Sequence, residues 1–158
     1  MRLTTRTNLA LRTLMVCAVN PGRIVRKQDV AKACNASENH LAQVINKLGQ
    51  EGYLDTIRGR HGGLRLARAP EDIAVGEVFR RFEGKVPLAE CFSGGADTCP
   101  LRPACRLRGA LHAAAAAFYA SLDGVRLSDL ISCNELLFRI LEIGEQPVQC
   151  SGPDTAAA

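Results

Sequence analysis

A short run loaded with cations and glycine, Arg58-Gly59-Arg60-His61-Gly62-Gly63, lies between two β-prone stretches, Tyr53-Leu54-Asp55-Thr56-Ile57 and Leu64-Arg65-Leu66. Flanking runs of this kind pair as a hairpin, and glycine supplies the tight turn between them. The residues before it follow a helical period. Thr4 or Thr5 can cap a first helix in which Leu11, Leu14, Met15 and Ala18 recur at i, i+3, i+4 and i+7, and Asn20-Pro21-Gly22 closes it. Residues 29–34 suggest a short second helix, and Ser37 is a good N-cap for a third. Along that third helix Leu41, Val44, Ile45 and Leu48 make one apolar stripe, while Asn39, His40, Gln43, Asn46 and Lys47 occupy the other faces. Helix, short helix, turn, polar-faced helix and basic hairpin is the order of a winged helix-turn-helix, so the fold class is mostly α with a small β-hairpin. A small α+β domain with a surface hairpin is the competing reading.

Charge follows the same division. Residues 1–70 carry 12 Lys/Arg against 4 Asp/Glu, and residues 71–158 carry 8 against 12, so a basic half precedes an acidic one. A surface built to meet a polyanion needs this segregation, although a solvated basic face would also show it. In a groove-reading helix the first turns approach the base edges. Ser37, Asn39, His40 and Gln43 are therefore the base-edge candidates, Lys47 lies further along the same helix, and Arg58, Arg60, His61 and Arg65 are placed to meet phosphate or the minor groove.

Beyond Pro70, residues 72–82 read as a helix, and residues 84–104 read as a loop rich in Gly and Pro. From Cys105 onward Leu107, Leu111, Ala114, Phe118 and Leu122 form a narrow apolar seam along a long helix, suited to a partner helix or to packing within the chain. Ser128-Asp129 can cap a final helix carrying Leu136, Leu137, Ile140 and Leu141. Residues 1–70 are read as the DNA-binding domain, 71–143 as the cysteine loop with dimerisation helices, and 144–158 as a disordered tail.

The chain has seven cysteines, an odd number that suits thiols or metal ligands in a reducing compartment better than a disulfide framework. Cys91, Cys99 and Cys105 share one loop with spacings of seven and five residues. Structural zinc sites favour closer pairs, so this spacing points to an iron–sulfur cluster, with zinc or unligated thiols as alternatives. Cys17, Cys34 and Cys133 read as small buried hydrophobes, and Cys150 falls in the tail. No stretch reaches the roughly 20 apolar residues of a membrane span, and no signal peptide is evident, so a cytoplasmic location without membrane association is expected. No nucleophile–base pair, phosphate loop or carboxylate dyad marks an enzyme.

Together, Met1-Arg2-Leu3-Thr4, Asn39-His40, Asn46-Lys47-Leu48, the turn from Arg58 to Leu66, Glu90-Cys91-Phe92, and Cys99-Pro100 through Pro103-Ala104-Cys105-Arg106-Leu107 resemble the iron–sulfur winged-helix repressors. These include the nitric-oxide-sensing nitrite-sensitive repressors and the iron–sulfur cluster regulators. The resemblance spans about residues 1–143 and is closest to the nitric-oxide-sensing branch, with an iron-responsive branch as its rival. It implies a homodimer on a palindromic operator in double-stranded DNA. It also implies a cluster held by Cys91, Cys99 and Cys105, of the [4Fe-4S] type with [2Fe-2S] as the alternative, and nitric oxide as the signal. Members of this branch can take a fourth ligand from an acidic residue on the partner's first helix. The matching position here is Asn8, so an amide oxygen, a water or small anion, or His112 are the candidates. A small iron–sulfur redox protein is a remoter reading that leaves the basic half unexplained.

Overall fold

The computed structural model describes residues 4–84, 89, 92 and 99–143. Among these, the elements in chain order are α1 (Thr5–Val19), α2 (Lys27–Cys34), α3 (Glu38–Gln50), β1 (Leu54–Ile57), β2 (Gly63–Leu66), α4 (Val75–Glu83), α5 (Arg106–Asp123), α6 (Leu127–Ile131) and α7 (Glu135–Leu141). Single 3-10 turns at Pro70–Asp72 and Arg102–Ala104 precede α4 and α5. Thr4 caps α1 by accepting a hydrogen bond from the Thr7 amide, and Asn20 ends it. The αL residue Asn35 closes α2, and Ser37 then caps α3 through the His40 amide.

The sequence predicts one apolar stripe on α1, yet the helix is buried on most of its circumference. Leu9, Ala10, Leu14, Val16, Cys17 and Ala18 all lie in the core, while Leu11 and Met15 are half-buried. The reason is position, because α1 packs against α2, α3, β2, α4, α6 and α7. A helix surrounded on all sides loses its polar face. The buried polar groups that remain are paired. Thr13 Oγ1 donates to Leu9 O at 2.7 Å, and Asn20 Nδ2 donates to Val16 O and Leu141 O while its Oδ1 accepts from the Ile143 amide. Asn20 thereby ties the end of α7 to the end of α1.

The wing is a two-stranded antiparallel sheet with Leu54 opposite Leu66 and Ile57 opposite Gly63. A bridge outside the hairpin anchors it to the helical body, since Val25 and Leu64 exchange both amide hydrogen bonds at 2.8 Å. That close approach requires glycine at 63, where an added Cβ would stand 2.6 Å from Ile24 Cγ2.

Three expectations need correction beyond the wing. The helix expected over residues 72–82 begins at Val75, because Pro70 starts a separate turn and Ile73 is extended. The single final helix is broken in two. Cys133 adopts φ 51° between α6 and α7, Ser132 Oγ bonds back to Ser128 O, and Asn134 recaps the chain through the Leu137 amide. Cys133 is consequently exposed and is not the buried hydrophobe expected, whereas Cys17 and Cys34 are buried. The expected tail at 144–158 and most of the expected loop, Cys91 included, lie outside the described residues.

Candidate nucleic-acid interface and cysteine segment

Burying Leu41, Val44, Ile45 and Leu48 of α3 leaves Asn39, His40 and Gln43 exposed on one side, with Ser37 exposed at the cap. Arg6 of α1 reaches this face, where its Nη2 donates to Gln43 Oε1 at 3.1 Å. Lys27 pairs with Glu38 at 2.9 Å and braces α2 against the start of α3. On the wing, Arg58, Arg60, His61 and Arg65 are all exposed, and Arg65 pairs with Asp55 across the strands at 3.1 Å. Polar side chains on α3 and cations on the wing are thus connected through α1 and the Val25–Leu64 bridge.

Lys47 is placed differently from the other candidates. It is half-buried, its Nζ donates to Arg81 O, and it lies 4.4 Å from the centroid of the Phe82 ring. Arg81 in turn pairs with Glu51 just past the end of α3 at 3.3 Å. The last turn of α4 is therefore fastened to the C-terminal half of α3. It is also fastened to α1, for Glu83 Oε1 accepts from Thr4 N and Thr4 Oγ1, both at 2.8 Å, and from Thr7 Oγ1. Burial alone would raise the Glu83 carboxyl, but the hydrogen bonds from Thr7 and Thr4 and the charge of Lys47 hold it below its ordinary value. The carboxylate also sits at the positive end of α1, where negative charge is favoured. Sequence reasoning missed Glu83, because its partners lie 76 and 79 positions away.

In the cysteine segment, Cys105 is the N-cap residue of α5 and is half-buried, and Cys99 is exposed. No side chain caps the 18-residue helix, no acidic residue occupies its first turn, and Arg106 and Arg108 lie within that turn. The helix dipole and the two arginines make this end of α5 electropositive. Cys99 and Cys105 are thiol donors of the kind that hold an iron–sulfur group, and Cys91 lies outside the described residues. Among the described residues no three His, Cys, Asp or Glu side chains converge to hold a metal. Asn8 is exposed on the second turn of α1. His112 is an exposed residue of α5, and its ring stacks with Phe92, centroids 6.5 Å apart. In contrast, burial, with Cys34 adding to it, pushes the Cys17 thiol up to about 12 and makes it chemically quiet.

The long helix α5 buries none of its residues. Its C-terminal half rests on α4 through the Phe79–Phe118 edge contact at 5.7 Å and the Arg80–Asp123 ion pair, with Arg80 5.0 Å from the Tyr119 ring. Its N-terminal half leaves Leu107 65% exposed. Among the described residues no helix is long and apolar enough to cross a membrane.

Comparison with known proteins agrees with this architecture. The profile of the Rrf2 family, described as an iron-dependent transcriptional regulator, matches residues 3–133. The chain is 40% identical over 146 residues to the HTH-type transcriptional regulator NsrR of Bacillus subtilis (strain 168), covering 92% of this chain and 100% of that one. It is 38% identical over 158 residues to Protein aau3 of Rhizobium meliloti (strain 1021), covering 100% of both. Among solved structures, CymR, the global cysteine regulator of B. subtilis, matches with a TM-score of 0.62 at 26% identity, over 83% of this chain and 96% of that one. T. potens IscR matches with a TM-score of 0.66 at 23% identity, over 83% and 86% of the two chains, which shows a shared fold. The Rrf2 profile and the NsrR relative are described as regulators of transcription, not as enzymes. The chain belongs to the Rrf2 family of transcriptional regulators.

Proposed function

We propose that this chain is a homodimeric, DNA-binding repressor that holds an iron–sulfur cluster through Cys91, Cys99 and Cys105 and leaves its operator when nitric oxide reacts with that cluster. The observation that carries the reading is the Cys105 junction, a thiol at the uncapped, acid-free N-terminus of α5. The 40% identity to NsrR over nearly the whole chain supports the same assignment. Residues 1–70 supply the reading head, and residues 71–143 supply the cysteine segment and the helices that pair two copies. Cys91, Cys99 and Cys105 would hold the cluster, which would supply iron able to bind nitric oxide. The chain's own contribution is geometric. Ser37, Asn39, His40 and Gln43 face the base edges, and Arg58, Arg60, His61 and Arg65 grip the backbone or minor groove. Two such heads would meet half-sites one helical turn, about 34 Å, apart. Asn8, exposed on α1, is the residue offered to the partner subunit's cluster. A [4Fe-4S] form is the first choice and [2Fe-2S] the second.

The family description, iron-dependent transcriptional regulator, favours a second reading in which cluster occupancy reports iron supply. One anaerobic titration separates the two. Cluster absorption that collapses at a few nitric oxide per cluster, in step with release of a duplex selected by the holoprotein from a random pool, is the expected result. Absorption indifferent to nitric oxide but lost to an iron chelator would establish the iron reading. Colourless protein carrying stoichiometric zinc would remove both.

A further inference from the structure

Three connections meet at the last turn of α4. Glu83 gathers Thr4 and Thr7 at the start of α1, Lys47 of α3 donates to Arg81 O and covers Phe82, and Arg81 pairs with Glu51. A fourth contact, Arg6 to Gln43, joins the first turns of α1 directly to the middle of α3 and closes the circuit. Arg81, Phe82 and Glu83 thus touch both the helix that reads DNA and the helix that carries Asn8. The chain leaves this turn at Gly84, seven residues before Cys91.

We propose that the last turn of α4 couples the cysteine segment to the recognition helix, with Glu83 and Lys47 as positioning residues that touch neither DNA nor cluster. This rests on the reading that the cysteine segment holds a cluster whose state controls DNA binding. The physical basis is stiffness. A lysine held by a carbonyl and an aromatic face cannot also extend to a phosphate, and a carboxylate shared by three donors fixes the entry of α1 against the exit of α4. A shift of that exit would move α1 and α3 together, because the contacts among them form a closed loop. The neighbouring long helix is fastened to the same stretch of α4, by Arg80–Asp123 and Phe79–Phe118.

The experiment measures the affinity of full-length holoprotein and apoprotein for a duplex selected by wild-type holoprotein, across a salt series, with the cluster spectrum recorded for each sample. Lys47→Met and Glu83→Gln are expected to retain cluster absorption and the salt slope while the holo-to-apo affinity ratio falls at least tenfold. Lys47→Arg, which can still donate to Arg81 O and stack on Phe82, is expected to restore most of the ratio. If Lys47→Met instead lowers the salt slope by about one and leaves the ratio intact, Lys47 is a phosphate contact and the coupling role is overturned. A wild-type ratio retained in both variants overturns the coupling alone. A wild-type ratio of one overturns the cluster-control reading, and the coupling with it.

Discussion

The helix α1 and the helix α5 are of similar length and each carries three leucines, yet they live in opposite environments. Nine of the residues of α1 are buried, and none of the residues of α5 is. The first is the axle of a finished core, closed by helices from both ends of the chain. The second is about 27 Å of helix held along its C-terminal half and, among the described residues, largely exposed along the rest apart from the His112–Phe92 stack. One chain therefore completes the reading head but leaves α5 incomplete. That division suits the proposed homodimer, in which α5 would finish against a second copy.

Substitution of the axle has the largest effect. Leu14 is fully buried, and Leu14→Ala should cost about 2–5 kcal/mol, lowering the thermal midpoint by roughly 10 °C. Leu107→Ala on the bare half of α5 should stay within about 0.5 kcal/mol if the chain is measured as a monomer. Equal midpoints for the two variants would break the contrast. The second test addresses assembly. Leu107→Asp should weaken self-association at least a hundredfold, about 2.7 kcal/mol, in sedimentation equilibrium while leaving the melt of the head unchanged. Undiminished dimerisation would take the bare half of α5 out of the interface.

The junction between the two regions is sensitive to a single methyl group. Gly76 of α4 faces the end of α5, where an added Cβ would overlap Asp123 Oδ1 and stand 2.9 Å from its backbone nitrogen. Gly76→Ala should therefore cost about 2 kcal/mol in thermal unfolding and disengage Asp123 from Arg80, and a neutral result would mean that α5 rides free of α4. On the DNA face, Arg60→Ala should weaken binding about tenfold for any duplex and lower the salt slope by about one. An unchanged slope would remove the wing tip from the interface.

The reading head was legible in the sequence because its signals are local. The cap at Ser37, the stripe from Leu41 to Leu48 and the glycines of the wing each specify geometry within a few residues. The break at Cys133 was not legible, because an αL cysteine has no propensity signature and the recapping Asn134 reads equally well as a helix-surface residue. Lys47 was read as one of the polar-face residues of α3, and the packing of α4 adds that a backbone carbonyl and an aromatic ring lie against it. Glu83 carried no signal at all, since a carboxylate that caps a helix from 79 positions away leaves no mark on local spacing.

That carboxylate gives the smallest predicted effect and the most direct check of how the head is fastened. Burial works against its charge, but Thr7, Thr4 and Lys47 outweigh burial, so its folded-state value lies below its unfolded one. The folded protein then binds fewer protons at this group than the unfolded chain does. The stability it contributes is present above the unfolded value and is lost as pH falls through the ordinary carboxylate range toward the folded one. Asp123 is lowered too, chiefly by its bonds from Arg80, and it contributes to the same acid limb. Comparison with Glu83→Gln isolates Glu83, because the Asp123 contribution is common to both proteins and cancels in the difference. Near neutral pH the variant should melt roughly 2 °C lower, a modest figure because water screens a half-exposed group. The gap should close as the pH approaches 3, where the wild-type carboxyl takes up the proton that glutamine never needed. A gap that stays constant from pH 7 to 3 would mean that Glu83 holds α1 by shape alone and that its charge contributes nothing to the joint.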